Sequence, residues 1–179
     1  STTNEALLIH HLINKETDKN KKLYLINQEL EQIRTTVFRQ LMFAEFELFT
    51  HESIESGIPL TALEYSKKWH ELNVKYFGPD IVVDEDIDIE WARIPHFYSD
   101  FYVYQYATGY AAASAFASSI LNKEENAVSK YITFLKSGGS DYPINILKKA
   151  GVDMTTPKPL EATINRFNEL LDMLEENLK

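Results

Sequence analysis

Cysteine is absent from the 179 residues, which removes any disulfide framework or thiolate metal site and suits a reducing compartment. Long apolar runs are missing as well. No stretch approaches the roughly 18 apolar residues that a membrane span needs. Positive charge is scarce: 18 Lys and Arg stand against 27 Asp and Glu, for a net charge of −9. That balance argues against nucleic acid or an anionic membrane as a partner. The opening Ser1-Thr2-Thr3-Asn4-Glu5 has no basic segment, so it does not read as a signal peptide. It also has no initiator Met and begins inside a helix signal, as expected of a piece cut from a larger protein. Several catalytic motifs are missing too. There is no HExxH zinc motif, no GxSxG nucleophile elbow and no Walker loop. His10 and His11 are adjacent, so they point to different helix faces and cannot chelate together.

What remains is an ordinary globular composition, 44% hydrophobic and 25% charged, with length for one good core. Apolar residues recur at helical spacing, and no strand pattern, repeat or low-complexity segment interrupts them. Ala6 to Ile13 is apolar nearly all round and predicts a short buried helix. A long helix follows, capped by Thr17 or Asp18 and running through Leu23, Ile26, Leu30, Ile33, Val37, Met42 and Phe46 to about Phe49. Within it Arg39 needs a carboxylate if buried, and of the nearby acids Glu47 is nearer its face than Glu45. Thr61 and Glu64 form a capping box, and Gly78-Pro79 ends the helix they begin. Asp80 to Glu90 reads as a solvated acidic loop, with Ile87 and Ile89 in an extended piece. His51 and His70 read as surface residues. Later helices are expected over Glu124–Leu135, from Pro143 to Gly151, and over Leu160–Leu178, with Ser137-Gly138-Gly139-Ser140 as a hinge or lid.

The most distinctive stretch is residues 94–110, which holds five of the ten Tyr. Tyr98, Tyr102, Tyr106 and Tyr110 recur every fourth residue. On one helix each such step turns about 400°, giving a single stripe of phenols. His96 stands just before it, after Pro95, and small residues from Ala111 to Ser119 follow as a packing seam. Imidazole and phenol are hydrogen-bond donors suited to a developing oxyanion more than to nucleophilic attack. The plainer alternative makes the Tyr core residues with satisfied hydroxyls.

At this point the chain resembles a known family. Ser1–Leu8, Arg39–Glu47, Ile94–Tyr98, Phe101–Gly109 and Ser137–Pro143, in this order, are similar to the C-terminal part of oligoendopeptidase F, a zinc metallopeptidase related to thimet oligopeptidase. The resemblance implies an all-α, multi-helical fragment of a metallopeptidase catalytic domain, residues 1–179, lacking the HExxH helix. It implies zinc in the full-length parent, held by the two His of HExxH and a later Glu that would lie just upstream of Ser1. No metal is expected on this chain alone. By the same resemblance His96, Tyr102 and Tyr106 are catalytic, Tyr98 and Tyr110 bind substrate, and Glu5 acts behind the third zinc ligand. The implied partners are an oligopeptide substrate and the remainder of the parent domain, in the cytoplasm, and the isolated chain is expected to be inactive. A free-standing helical peptide-binding module, without catalysis, is the alternative.

Overall fold

The computed structural model describes residues 1–179, and it is all-helical. Eight α-helices follow one another: α1 (Thr2–Lys15), α2 (Lys19–Ile33), α3 (Arg39–Glu55), α4 (Ala62–Phe77), α5 (Tyr104–Leu121), α6 (Ala127–Ser137), α7 (Pro143–Lys149) and α8 (Lys158–Leu178). A π-helical turn, Arg34–Phe38, lies between α2 and α3. Two 3-10 segments, Glu85–Arg93 and Pro95–Tyr98, precede α5. No helix is long and apolar enough to cross a membrane.

The helix ends follow local chemistry. Asp18 caps α2 by accepting from the Lys21 amide at 3.0 Å. Thr61 accepts from the Glu64 amide while the Glu64 carboxylate accepts from the Thr61 amide, closing the expected capping box on α4. Gly78 ends α4 at φ 80°, and Gly151 stands just past α7 at φ 93°. Both are conformations that a side chain would strain.

The chain divides into two compact units. The first comprises residues 1–34 and 108–179. In it α2 packs on α8 and on α1, and α6 packs on α7. Its apolar centre includes Ala112 and Phe116 of α5, Tyr131 of α6, and Ala150 and Val152 after α7. The small residues of α5 do not form the expected close-packing seam: Ala112 joins this cluster, but Ala112 and Ala113 also line one cavity and Ser114, Ala117 and Ser118 another. α1 differs from expectation: only Thr3 and Ile13 are buried, while Leu8 and Leu12 are exposed. An apolar run marks a helix here without fixing how much of it is covered.

The second unit, residues 35–107, is built from α3, α4 and the 3-10 segment on α4. Its core is Met42, Phe43, Phe46, Trp69, Leu72, Ile94 and Val103. Phe46 meets Trp69 edge-to-face at 4.9 Å, and Phe97 packs on Phe43 at 5.7 Å. Three expectations are corrected in this unit. The 80–90 stretch is largely exposed, as an acidic loop should be, but it is not extended and not solvated throughout. Asp84 caps a 3-10 segment, and Glu90 within it is buried. Arg39 does not pair with Glu47; its guanidinium reaches Glu90 at 2.6 Å, 51 residues on. His51 and His70 are half-buried with acidic neighbours, His70 lying 2.7 Å from Asp88. Each partner comes from another element, which spacing along one helix cannot reveal.

Candidate functional site

Three of the singled-out side chains meet within the second unit. Pro95 starts a 3-10 turn that carries His96 and ends at Tyr98. The chain then reverses through Asp100 and Phe101, both left-handed at φ 44° and 57°. Asp tolerates that region and Phe does not, and a non-glycine residue there costs about 1–2 kcal/mol. Only then does α5 begin, with Tyr102 and Val103 carbonyls accepting its first amides. The four Tyr are thus not one stripe on one helix: Tyr98 and Tyr102 precede α5, and only Tyr106 and Tyr110 lie on it. The reversal instead folds Tyr102 back against His96.

The rings form a triangle. His96 and Tyr102 are nearly parallel, with centroids 5.8 Å apart and planes 16° apart. Tyr106 stands edge-on to both, 5.9 Å from His96 and 5.5 Å from Tyr102. The Tyr106 hydroxyl is 3.2 Å from His96 Nε2. Its pKa lies above the ordinary phenol value, first because of a hydrogen bond with the Tyr102 hydroxyl. The Tyr106 phenol therefore stays protonated at neutral pH, and a phenol hydroxyl can donate. All three residues are exposed, so the cluster is open to an acceptor from outside.

The other candidates lie elsewhere. Tyr98 is 88% exposed and touches neither ring. Tyr110 belongs to the first unit and is buried. It lines a cavity of about 330 Å³ with His10, Glu29, Ser114 and Arg166. Burial and the nearby Glu29 charge push its phenol pKa far up. Glu5, also in the first unit, hydrogen-bonds Ser1 Oγ and accepts from Gln32 at 3.3 Å. A second cavity there, about 420 Å³, is lined by Thr2, Gly109, Phe116, Tyr131, Gly138 and Pro143. Neither cavity is lined by His96, Tyr102 or Tyr106.

Four histidines are each engaged by a partner other than a metal ion. His10 pairs with Asn14, His51 with the Glu47 carbonyl, His70 with Asp88 and His96 with Tyr106. No three His, Asp or Glu side chains stand together in a metal-holding group. The residues of this chain do not by themselves fit zinc.

Sequence reasoning passed over Glu47 as anything but a partner for Arg39. It is 2% exposed, and its Oε1 accepts from the Phe101 amide at 2.8 Å. The one available signal was Ser99-Asp100, a turn-forming pair inside a run taken for helix.

Comparison with known proteins bears on the family. The sequence profile of peptidase family M3 matches residues 1–166. Oligopeptidase PepF of Bacillus subtilis is 54% identical over 99% of this chain and 27% of its own length. An oligoendopeptidase F homolog of Borreliella burgdorferi is 44% identical over 98% of the chain and 30% of its own length. The crystal structure of oligoendopeptidase-F from Enterococcus faecium superimposes with a TM-score of 0.96 at 47% identity, covering 99% of this chain and 34% of that one. The chain spans about a third or less of the proteins it matches.

Proposed function

The chain belongs to peptidase family M3, and from that premise we propose that it supplies the substrate-binding and oxyanion-stabilising wall of a cytoplasmic zinc endopeptidase acting on short oligopeptides. The observation that carries the reading is the meeting of His96, Tyr102 and Tyr106, three exposed donors within one compact unit. When water adds to a scissile carbonyl, negative charge grows on its oxygen, and donors already in place stabilise that charge. Tyr102 donates directly. Tyr106, accepting from His96 Nε2–H at 3.2 Å, gives its own proton to the Tyr102 oxygen, so the three act as one relay that ends in the outward Tyr102 hydroxyl. Tyr98, beside them in sequence and almost fully exposed, packs against the peptide. Tyr110, with its ring buried, supports from within instead of touching substrate. Glu5 is assigned a supporting role near the metal ligands.

Zinc supplies Lewis acidity and an activated water in such chemistry. Its ligands are proposed to lie in the part of the longer protein that this chain does not span. Two facts support that placement: the chain has no metal-holding group, and it covers about a third or less of its relatives' length.

The test is His96→Ala and Tyr102→Phe in the full-length protein, assayed on an internally quenched oligopeptide. Each is expected to lower kcat on the order of 10²–10³-fold, the usual cost of one oxyanion donor, with bound zinc unchanged. Unchanged kcat in both variants would overturn the reading.

A further inference from the structure

Glu47 is a buried carboxylate with no use in the scheme above. Its expected cation, Arg39, is engaged with Glu90 instead. A buried carboxylate without an ion-pair partner needs another reason to be there. Its Oε1 accepts from the amide of Phe101, the second of two successive residues in the left-handed region. One helical turn further along α3, His51 adds two more contacts to the same pair. Its ring lies 4.4 Å from the Phe101 ring, and its Nε2 is 3.7 Å from the Asp100 carboxylate. His51 is itself anchored, its Nδ1–H donating to the Glu47 carbonyl at 2.8 Å. One turn of a packed helix thus grips both strained residues, all within the second unit.

That reversal is where the chain passes from His96 to Tyr102. Strained backbone persists only where its surroundings over-determine it. We propose that Glu47 is a positioning residue: its carboxylate fixes the Asp100–Phe101 turn and so lays Tyr102 over His96 as an oxyanion donor. The inference rests on the reading of His96 and Tyr102 given above. It adds that the acceptor which holds them in place belongs to α3, and that this is why a carboxylate is buried there. A charge-assisted bond to one amide is strong and directional, which suits the task. An apolar residue of the same size fills the space and leaves the turn unheld.

Two measurements separate the inference from the reading it rests on. In this chain, the ring protons of His96 are followed by NMR, because a stacked phenol shifts them. Tyr102→Leu gives the position of those signals without the phenol. Glu47→Leu is expected to move them toward that position, and Glu47→Gln, which keeps an acceptor, to leave them in place. Adding Asp100→Gly to Glu47→Leu, which makes the left-handed turn easy, is expected to return them. In the full-length protein, Glu47→Leu is expected to lower kcat about 10–10²-fold with KM within about twofold, as displacement of a catalytic group does. His96 signals that stay put in Glu47→Leu, or that Asp100→Gly fails to return, would overturn the inference whatever the activity. Signals that move as expected while kcat is unchanged in both Glu47→Leu and His96→Ala leave the positioning intact and sink the oxyanion reading. Should Glu47→Leu not fold, Glu47→Asp, one methylene shorter with the same charge, takes its place under the same criteria.

Discussion

Arg166 and Glu29, 137 positions apart, form a two-pronged ion pair: Arg166 Nε donates to Glu29 Oε1 at 2.9 Å and Nη2 to Oε2 at 2.7 Å. It joins α8 to α2, and both side chains are largely buried, at 19% and 4% exposure. Removing one member of such a pair strands the other charge. Arg166→Ala is therefore expected to destabilise the protein by about 3 kcal/mol, the lower end for a broken buried pair. Replacing both, as Arg166→Met with Glu29→Leu, is expected to restore much of that. Urea unfolding of the three variants checks both statements.

The capping box on α4 carries a smaller expectation. Thr61→Ala removes the acceptor for the Glu64 amide and is expected to cost about 1 kcal/mol. Thr61→Asn, which keeps an acceptor, is expected to cost a few tenths. Thermal midpoints of the two variants decide it.

Acid should weaken the first unit at two defined points. Hydrogen bonding from Lys149, then Asn145, holds Asp141 at a pKa of about 2. Hydrogen bonding from Thr155, then Lys148, does the same for Asp153. Both values lie below the 3.8 of a free Asp. Each carboxylate thus adds stability above about pH 4, and that contribution is lost as pH falls toward 2. Both carboxylates are partly open to solvent, with side chains 27% and 33% exposed, so the effect is small and salt-sensitive. Unfolding midpoints measured from pH 5 to pH 2 should fall less steeply in Asp141→Asn with Asp153→Asn than in the parent. Equal slopes would show that these contacts do not hold in solution.

The isolated chain is expected to leave a quenched oligopeptide uncleaved, with or without added zinc, because its own side chains form no metal-holding group. Mixing it with the remaining part of the longer protein is expected to recover cleavage where the two pieces reassociate. Zinc-dependent turnover by the chain alone would contradict the division of labour proposed here.

Much of the secondary structure was readable from residue order because its causes are local. Asp18, Thr61 with Glu64, Gly78, Pro143 and Gly151 mark helix ends by hydrogen bonds or backbone angles that involve a few neighbours. The family was readable too, since ordered segments from Ser1 to Pro143 resemble it, and the profile matches residues 1–166. Periodicity failed at Tyr98–Tyr110. A four-residue repeat is compatible with one helix, but it carries no record of the reversal at Asp100 and Phe101.

By itself, the sequence determined an all-helical chain with no thiol chemistry, a strong acidic balance, and a cluster of imidazole and phenol donors around residue 100. Tertiary structure alone decided which of those donors meet. Tyr102 reaches His96 because the backbone is strained between them, and that strain is held by Glu47, 54 residues away. In the same way Glu90 took Arg39 from 51 residues away, leaving Glu47 free for the turn. Propensity and capping act over one helical turn, whereas a buried charge finds its partner wherever packing brings a donor.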